Sequence, residues 1–243
     1  MKTVHHHFPL IYSTNTWALQ NSPTFARDAL TIVTADEQSL GRGRLGREWK
    51  SPAGKNIYMT FGFFLDSSRR DIGNIPQVLA LTGIELLRQF DFVTLLKWPN
   101  DLMIDQKKVG GILTETKPDN DTIFIAVGIG INVNMSFEET SAIDKPATSL
   151  LVEGGHEIPI SSLQTLLIER FEESLALFIE EGFSPFLDPL RAALDTRHPV
   201  QYSDGNAVWH GQIAALNDDG SLTLRLDDGS LKVCHSGELI QEI

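Results

Sequence analysis

The stretch Gly41-Arg42-Gly43-Arg44-Leu45-Gly46-Arg47-Glu48-Trp49-Lys50 combines glycines and arginines in a segment that follows a predicted strand. Its three glycines permit backbone turns that a side chain would block. Its three arginines carry planar guanidinium groups, which bind phosphate or carboxylate through two hydrogen bonds. Trp49 adds a flat face suited to stacking. The pattern indicates an anion-binding loop, and the alternatives are a solvated flexible loop or a nucleic-acid-binding segment.

Composition limits what this loop can bind. The 243 residues are enough for one large domain, or for a large domain and a small one. The net charge is −12, which argues against a general nucleic-acid or anionic-membrane surface. The loop is therefore a local cationic feature in an acidic protein, and it favours a small anion or a selective acidic partner.

Cysteine usage and hydropathy predict a cytoplasmic protein. The single cysteine, Cys234, excludes an internal disulfide and fits a reducing compartment. There is no run of eighteen apolar residues and no signal peptide. Cys234 precedes His235, but neighbours in a strand point to opposite faces. We interpret Cys234 as a packed strand residue and not as a nucleophile. Whether His5–His7 have a function stays open.

Hydrophobic periodicity predicts a mixture of strands and helices. Ser13, Thr14 and Asn15 are typical of a helix N-cap. From residue 196 onward, short strands separated by turns predict a small β-barrel. We therefore divide the chain into residues 1–195 and 196–243. The predicted strands cover residues 8–12, 30–35, 56–65, 93–98, 102–104, 109–116 and 122–134, and the predicted helices cover residues 72–90, 161–181 and 185–194.

Three further motifs place polar or small residues at strand ends. Lys97-Trp98-Pro99-Asn100-Asp101 could present a carboxylate to a magnesium ion between phosphates, although a plain turn fits equally well. Lys108-Val109-Gly110-Gly111 sets a lysine beside paired glycines, but a lone hairpin lysine is more often solvated. Gly128-Ile129-Gly130 leaves one strand face bare for a flat ligand, and a β-bulge is the competing explanation.

Together these motifs, in this order between Tyr12 and Asn134, resemble those of biotin protein ligase, also called biotin–[acetyl-CoA carboxylase] ligase. The resemblance implies an α+β fold of the class II synthetase-like, biotin–lipoate ligase type, with a mixed sheet flanked by helices. It also implies an SH3-like β-barrel C-terminal domain. The expected protein is of the monofunctional type, without an N-terminal DNA-binding domain.

The same resemblance implies an ATP-dependent, AMP-forming activity. The family converts biotin and ATP, with Mg²⁺, to biotinyl-5′-AMP and pyrophosphate. It then transfers biotin to one lysine of a biotin carboxyl carrier protein domain. We expect a monomer or homodimer that binds neither nucleic acid nor membrane. A lipoate–protein ligase of the same fold is the alternative, and a non-catalytic biotin sensor is a second one.

Site residues follow from the resemblance, position by position. The predicted catalytic residues are Lys108, Arg44 and Arg42. The predicted biotin contacts are Ser13, Thr14, Asn15, Gln38, Gly41, Arg42, Arg44, Lys108, Gly111, Gly128 and Gly130. The predicted ATP contacts are Arg44, Arg47, Trp49, Asn100, Asp101, Lys108 and Asn132, and Asp101 is the predicted Mg²⁺ ligand. We choose Lys108 over its neighbour Lys107 for its offset to Gly111, since only one of them can face a pocket.

Overall fold

The computed structural model describes residues 2–241. Within that range, seven strands form a large sheet in the order β1-β2-β3-β7-β6-β5-β4. The sheet is mixed, because β1 and β2 are parallel and the other neighbours are antiparallel. Its strands are β1 (Lys2–Phe8), β2 (Ala29–Ala35), β3 (Ile57–Asp66), β4 (Leu95–Lys97), β5 (Asp101–Ile104), β6 (Lys107–Asp119) and β7 (Thr122–Ile131).

Helices cover both faces of this sheet. They are α1 (Thr14–Asn21), α2 (Ile75–Arg88), α3 (Phe137–Ser141), α4 (Leu150–Gly154), α5 (Ile160–Glu181) and α6 (Leu187–Ala193). Helix α5 buries the apolar stripe that predicts it, which includes Leu163, Phe171 and Phe178. In the described part of the chain, no helix is long and apolar enough to cross a membrane.

Alternation along β7 separates two apolar layers. Ile125, Val127 and Ile129 join the main core with α2 and α5, whereas Phe124 and Ala126 join a smaller cluster with α1. Gly128 and Gly130 continue the α1 side, so that face is bare where the strand ends. Pairing of β7 with β3 and with β6 is continuous through both glycines, and the β-bulge interpretation of this motif is therefore wrong.

A second, antiparallel sheet follows. Its strands are β8 (Val200–Ser203), β9 (Val208–Leu216), β10 (Leu222–Leu226), β11 (Leu231–Cys234) and β12 (Glu238–Gln241), in the order β11-β10-β9-β8-β12. Cys234 is buried in this sheet, as interpreted, and burial raises the pKa of its thiol. The likeness to SH3 barrels and the boundary between residues 195 and 196 stay predictions.

The two sheets are joined through the turn between β9 and β10. Asn74 Nδ2 donates to the Asp219 carbonyl at 2.9 Å. Gln77 Nε2 and Trp98 Nε1 both donate to the Gly220 carbonyl, at 2.8 and 3.0 Å. Gly220 has φ of +78°, and a Cβ there would lie 2.5 Å from Gln77 Oε1. Only glycine therefore fits both the turn and its tight contact with the first turn of α2.

Several element boundaries differ from those predicted. The first strand is Lys2–Phe8 and not residues 8–12, and it contains His5–His7. Residues 72–90 divide into a 3₁₀ turn, Ile72–Asn74, and α2, because Pro76 occupies the first turn of the α-helix. The strand predicted at 93–98 is confined to β4, and the sequence analysis did not identify α3 and α4.

The sheet-to-sheet contact can be tested with two glycines of similar backbone conformation. Gly220→Ala should lower the free energy of unfolding by about 1–3 kcal/mol more than Gly229→Ala, because only the Gly220 Cβ collides with neighbours. Gly229 has φ of +84° and open space around it, so it controls for backbone strain. Urea unfolding measures both variants. Equal losses would mean that the turn is not tightly packed against α2.

Candidate active site

A cavity of about 850 Å³ lies on the α1 side of the large sheet. Its volume is in the range that small-molecule sites occupy. Its walls come from the sheet, the start of α1, the arginine loop, the 142–147 segment and β12. The predicted site residues that line it are Ser13, Thr14, Asn15, Gln38, Arg42, Arg44, Arg47, Trp49, Asn100, Asp101, Lys108, Gly111, Gly128, Gly130 and Asn132.

One row of paired residues forms the floor of the cavity. Lys97 pairs with Asp101, Asp101 with Gly111, Gly111 with Gly130, and Gly130 with Tyr58, across five strands. Residues directly opposite in a sheet share a face. The floor is therefore charged at one end and bare over the two glycines, which suits a ligand with an anionic group and a flat body.

The position of Lys108 depends on a register shift in β6. Leu102 pairs with Gly110, but Met103 pairs with Lys108, so Val109 is an extra residue on the β6 side. Met103 lies on the same face as Asp101, and the shift therefore brings Lys108 to the cavity face together with Gly111. Strict alternation counted back from Gly111 would have placed Lys107 there instead.

Lys108 forms the central ion pair of the cavity. Its Nζ lies 2.6 Å from Asp101 Oδ1 and 5.4 Å from the centroid of the Trp49 ring. Lys107 Nζ binds Glu153 Oε1 at 2.8 Å and does not line the cavity. Of the two neighbouring lysines, Lys108 is therefore the one that lines the cavity, and the solvated-hairpin interpretation does not hold for it.

The 146–148 segment fixes the backbone of Lys108. Its N–H donates to the Pro146 carbonyl at 2.9 Å, and its carbonyl accepts from Thr148 N at 3.0 Å. Asn132 Nδ2 donates to the Thr148 carbonyl at 3.0 Å, and Asn100 Nδ2 donates to the Ile112 carbonyl at 2.6 Å. Backbone carbonyls thereby hold the amides of Asn100 and Asn132 in place.

A polar network occupies the end of the cavity next to α1. Thr14 donates to Gln38 Oε1 from its backbone N at 2.9 Å and from its hydroxyl at 3.2 Å. Thr60 Oγ1 lies 2.8 Å from Thr14 Oγ1 and 2.6 Å from Asn15 Oδ1. A Cβ at Gly128 would overlap with the Asn15 amide. Gly128 therefore keeps room for the amide as well as leaving the floor bare.

Ser13 sits at the start of α1, where its side chain accepts from Thr16 N at 3.4 Å. This is the N-cap role predicted for the segment. Gly41 is the one predicted contact that does not line the cavity in the described structure. It is buried behind the wall, where a Cβ would lie 2.5 Å from Ser51 Oγ.

Each arginine of the loop has a partner. Arg42 Nη2 lies 2.8 Å from both carboxylate oxygens of Glu115. Arg44 donates to Asn100 Oδ1 and to the Gly237 carbonyl, both at 3.1 Å. Burial lowers the pKa of Arg44, and the Asp101 carboxylate opposes that shift. The loop is folded onto the cavity, so the interpretation as a solvated flexible loop does not hold.

Glu238 of β12 binds the third arginine and closes the cavity from the small sheet. Its carboxylate accepts from Arg47 through both oxygens, once at 2.7 Å, and from Lys145 Nζ at 3.1 Å. The hydrogen bonds from Arg47 are the main cause that lowers the pKa of Glu238 to about 2. The sequence analysis did not identify Glu238 or Lys145, because neither lies in a motif next to the loop.

Trp49 lies directly on the glycine floor. A Cβ at Gly130 would be 2.6 Å from Trp49 Nε1. Among the described residues, this buried indole N–H has no hydrogen-bond partner. A ligand that lies against Gly130 must therefore displace the indole ring, which can then cover the ligand in place of the glycine.

Charge within the cavity is opposite to that of the whole protein. Its lining has a net charge of +3, against −12 for the chain. The cations are Arg42, Arg44, Arg47, Lys50, Lys97, Lys108 and Lys145, and the acids are Glu48, Asp101, Asp144 and Glu238. A cationic pocket of this kind concentrates small anions at its surface.

A magnesium ion fits this cavity only together with a phosphate ligand. Within residues 2–241, no group of three or more His, Cys, Asp or Glu side chains could hold a metal. Mg²⁺ usually takes one or two protein carboxylates and completes its shell with substrate phosphates and water. Asp101 can supply such a carboxylate, although one of its oxygens accepts from Lys108.

Known proteins resemble this chain in sequence and in fold. A profile of the biotin/lipoate A/B protein ligase family matches residues 7–132, just over half of the chain. The chain therefore belongs to the biotin/lipoate A/B protein ligase family. It is 32% identical over 236 residues to the bifunctional ligase/repressor BirA of Escherichia coli (strain K12), covering 95% of this chain and 72% of that protein.

Two further relatives extend this likeness. The biotin–[acetyl-CoA-carboxylase] ligase of Paracoccus denitrificans is 32% identical over 227 residues, which are 88% of this chain and 90% of the relative. A solved structure of the biotin protein ligase from Aquifex aeolicus, in complex with biotin and ATP, matches with a TM-score of 0.81 and 28% identity. That match covers 98% of this chain and 99% of the other. The predicted α+β fold class is thus confirmed.

The ion pairs of Glu238 should make stability depend on pH. Its pKa is about 2 in the folded protein and about 4.5 otherwise, so its contribution is complete above pH 4.5 and is lost as pH falls towards 2. Glu238→Gln should lower the free energy of unfolding by about 1–3 kcal/mol at pH 7, with a smaller difference at pH 3.

Urea unfolding between pH 7 and pH 3 tests this expectation. Glu173→Gln is the control, because Glu173 pairs with Arg170 on an exposed helix surface. Such a pair contributes less than about 1 kcal/mol. A Glu238→Gln difference that stays constant from pH 7 to pH 3 would contradict the prediction.

Proposed function

We propose that this chain is a biotin protein ligase. It joins the carboxylate of biotin to ATP, forming biotinyl-5′-AMP and pyrophosphate, and then passes biotin to a lysine of a biotin carboxyl carrier protein domain. The observation that carries the proposal is the Lys108 ammonium beside Asp101, at 2.6 Å, next to a floor made by Gly111 and Gly130. The relatives named above bear the same activity in their names.

In the first step the protein brings two anions together. The bare floor accepts the flat bicyclic body of biotin, and the Thr14, Asn15 and Gln38 network supplies donors and acceptors for its ureido group. Lys108 and Arg44 neutralise the carboxylate and the α-phosphate, with Arg42 at the loop's outer end. A carboxylate oxygen of biotin attacks the α-phosphorus of ATP. The bond between the α-phosphorus and the oxygen that bridges it to the β-phosphorus breaks, and pyrophosphate leaves.

The nucleotide lies towards the loop and β12. Arg47 contacts the phosphates once it releases Glu238, and Trp49 packs beside the adenine after it leaves Gly130. Asn100 and Asn132, which are already fixed by backbone hydrogen bonds, contact the nucleotide. Mg²⁺ held by the phosphates and Asp101 would add positive charge there when bound. Because the side chains of Asn100 and Asn132 are already ordered, binding of the nucleotide costs less conformational entropy.

In the second step the protein holds the mixed anhydride for an external amine. The carrier lysine attacks the biotinyl carbonyl, an amide bond forms, and AMP departs with the electron pair of the broken C–O bond. The step requires no nucleophile from this chain. The position of Cys234 is consistent with this, because its side chain is buried in the small sheet and does not line the cavity. We further propose a cytoplasmic monomer or homodimer, with its catalytic domain in residues 1–195.

The activity can be tested directly. Purified protein with biotin, ATP and Mg²⁺ should release pyrophosphate and accumulate biotinyl-5′-AMP, and a carrier domain should become biotinylated on one lysine. Lipoate replaces biotin in a parallel reaction, because a lipoate–protein ligase is the alternative. The polar network favours biotin, since a dithiolane ring has no group to pair with Thr14 or Asn15. Faster turnover of lipoate would refute the proposal.

Lys108 provides the sharpest mutational test. Lys108→Met should lower biotin-dependent ATP–pyrophosphate exchange by about 100- to 1,000-fold, since one charge stabiliser of the transition state is lost. Lys107→Met is the matched control, because that amine binds Glu153 outside the cavity. Urea unfolding, compared with the unmodified protein, confirms that each variant is folded. Comparable exchange rates for the two variants would show that Lys108 is not the catalytic lysine.

A further inference from the structure

Lys97 is a cavity lysine that has no role in the function proposed above. It ends β4 and lies directly opposite Asp101, so the two side chains share the cavity face. The residue is partly buried. In the described part of the chain, its ammonium has neither a hydrogen-bond partner nor an ion-pair partner within 4.0 Å. Burial lowers its pKa, and the field of Asp101 opposes this shift.

Nearby acids are already neutralised by other groups. Asp101 accepts from Lys108, and Glu238 accepts from Arg47 and Lys145. The positive charge of Lys97 is therefore not compensated by either carboxylate. A partly buried charge without a partner is costly to the folded protein, and it is retained where a ligand supplies the opposite charge. The missing group in this cavity is an anion.

The order of the floor residues indicates which part of the ligand this anion is. In spatial order across the strands, the row consists of Lys97, Asp101, Gly111 and Gly130. The proposed acyl group and α-phosphate lie beside Lys108, over the glycines. Lys97 is on the far side of Asp101, where the rest of a triphosphate extends. A lysine, with a compact charge on a flexible stem, suits a group that departs after reaction.

From this placement we infer that Lys97 binds the β- and γ-phosphates of the nucleotide and stabilises them as the departing pyrophosphate. The inference rests on the proposed function and adds a residue to it. When the carboxylate oxygen bonds to the α-phosphorus, the bridging oxygen leaves with the electron pair of the broken P–O bond. Lys97 transfers no proton in this step and contributes only positive charge.

The two half-reactions separate this role from others. Lys97→Met should lower kcat/KM for ATP in adenylation by roughly 10- to 100-fold, the loss expected for one charged hydrogen bond. The same substitution should weaken the binding of inorganic pyrophosphate in the reverse reaction by a similar factor. Transfer from preformed biotinyl-5′-AMP to a carrier domain involves neither phosphate and should stay within twofold of the unmodified protein. Lys97→Arg keeps the charge and should recover much of the loss.

Lys117→Met is the matched control, because Lys117 is exposed on β6 outside the cavity. Its kinetic constants for ATP and pyrophosphate should not change. Unchanged affinity for biotin shows that a variant is folded. If Lys97→Met binds no biotin, Lys97→Gln is tested instead and judged by the same criteria. The inference is overturned if kcat/KM for ATP is unchanged, or if carrier transfer falls as much as adenylation. An unmodified protein that makes no biotinyl-5′-AMP refutes the proposed function instead.

Discussion

The pairing register of the large sheet determines which residues face the cavity of this protein. Met59, Ile129 and Ile112 are neighbours across three strands and are buried in the main core. Because a slip of one residue would turn them towards the cavity and bury charged groups, this register is strongly specified. The residues one position along each strand must then face the cavity. The core on one side of the sheet thus determines the order of cations and glycines on the other.

One departure from regular pairing has a local effect of equal importance. The extra residue Val109 lets Lys108 share a face with Gly111, while Lys107 turns to Glu153 on the opposite side. Val109 is fully buried, so the core holds the bulge in place. The Trp98–Pro99 peptide bond, which is cis, lies in the adjacent connection. The bulge in β6 is therefore found where the cavity brings its charged side chains together.

Local sequence was sufficient for some of these features and not for others. The α5 stripe, the buried β2 and the bare face of Gly128 and Gly130 each follow from periodicity within one segment. The partners of Arg47 and Arg44 cannot be predicted in this way. Glu238 and Gly237 lie about 190 positions away along the chain, and no local pattern marks them. Lys97 was within a recognised motif, but its lack of a partner appears only once every nearby carboxylate is located. The site roles themselves remain proposals.

Closure of the cavity by β12 has a consequence for biosynthesis. Glu238 and the Gly237 carbonyl bind the arginine loop, and the Gly220 carbonyl accepts from Trp98 and Gln77. While the chain emerges from the ribosome, the arginine loop is made long before these partners exist. The nascent protein thus exposes its cationic loop, without its carboxylate, to every polyanion near the ribosomal surface. The finished pocket, which β12 closes, is therefore among the last features to form.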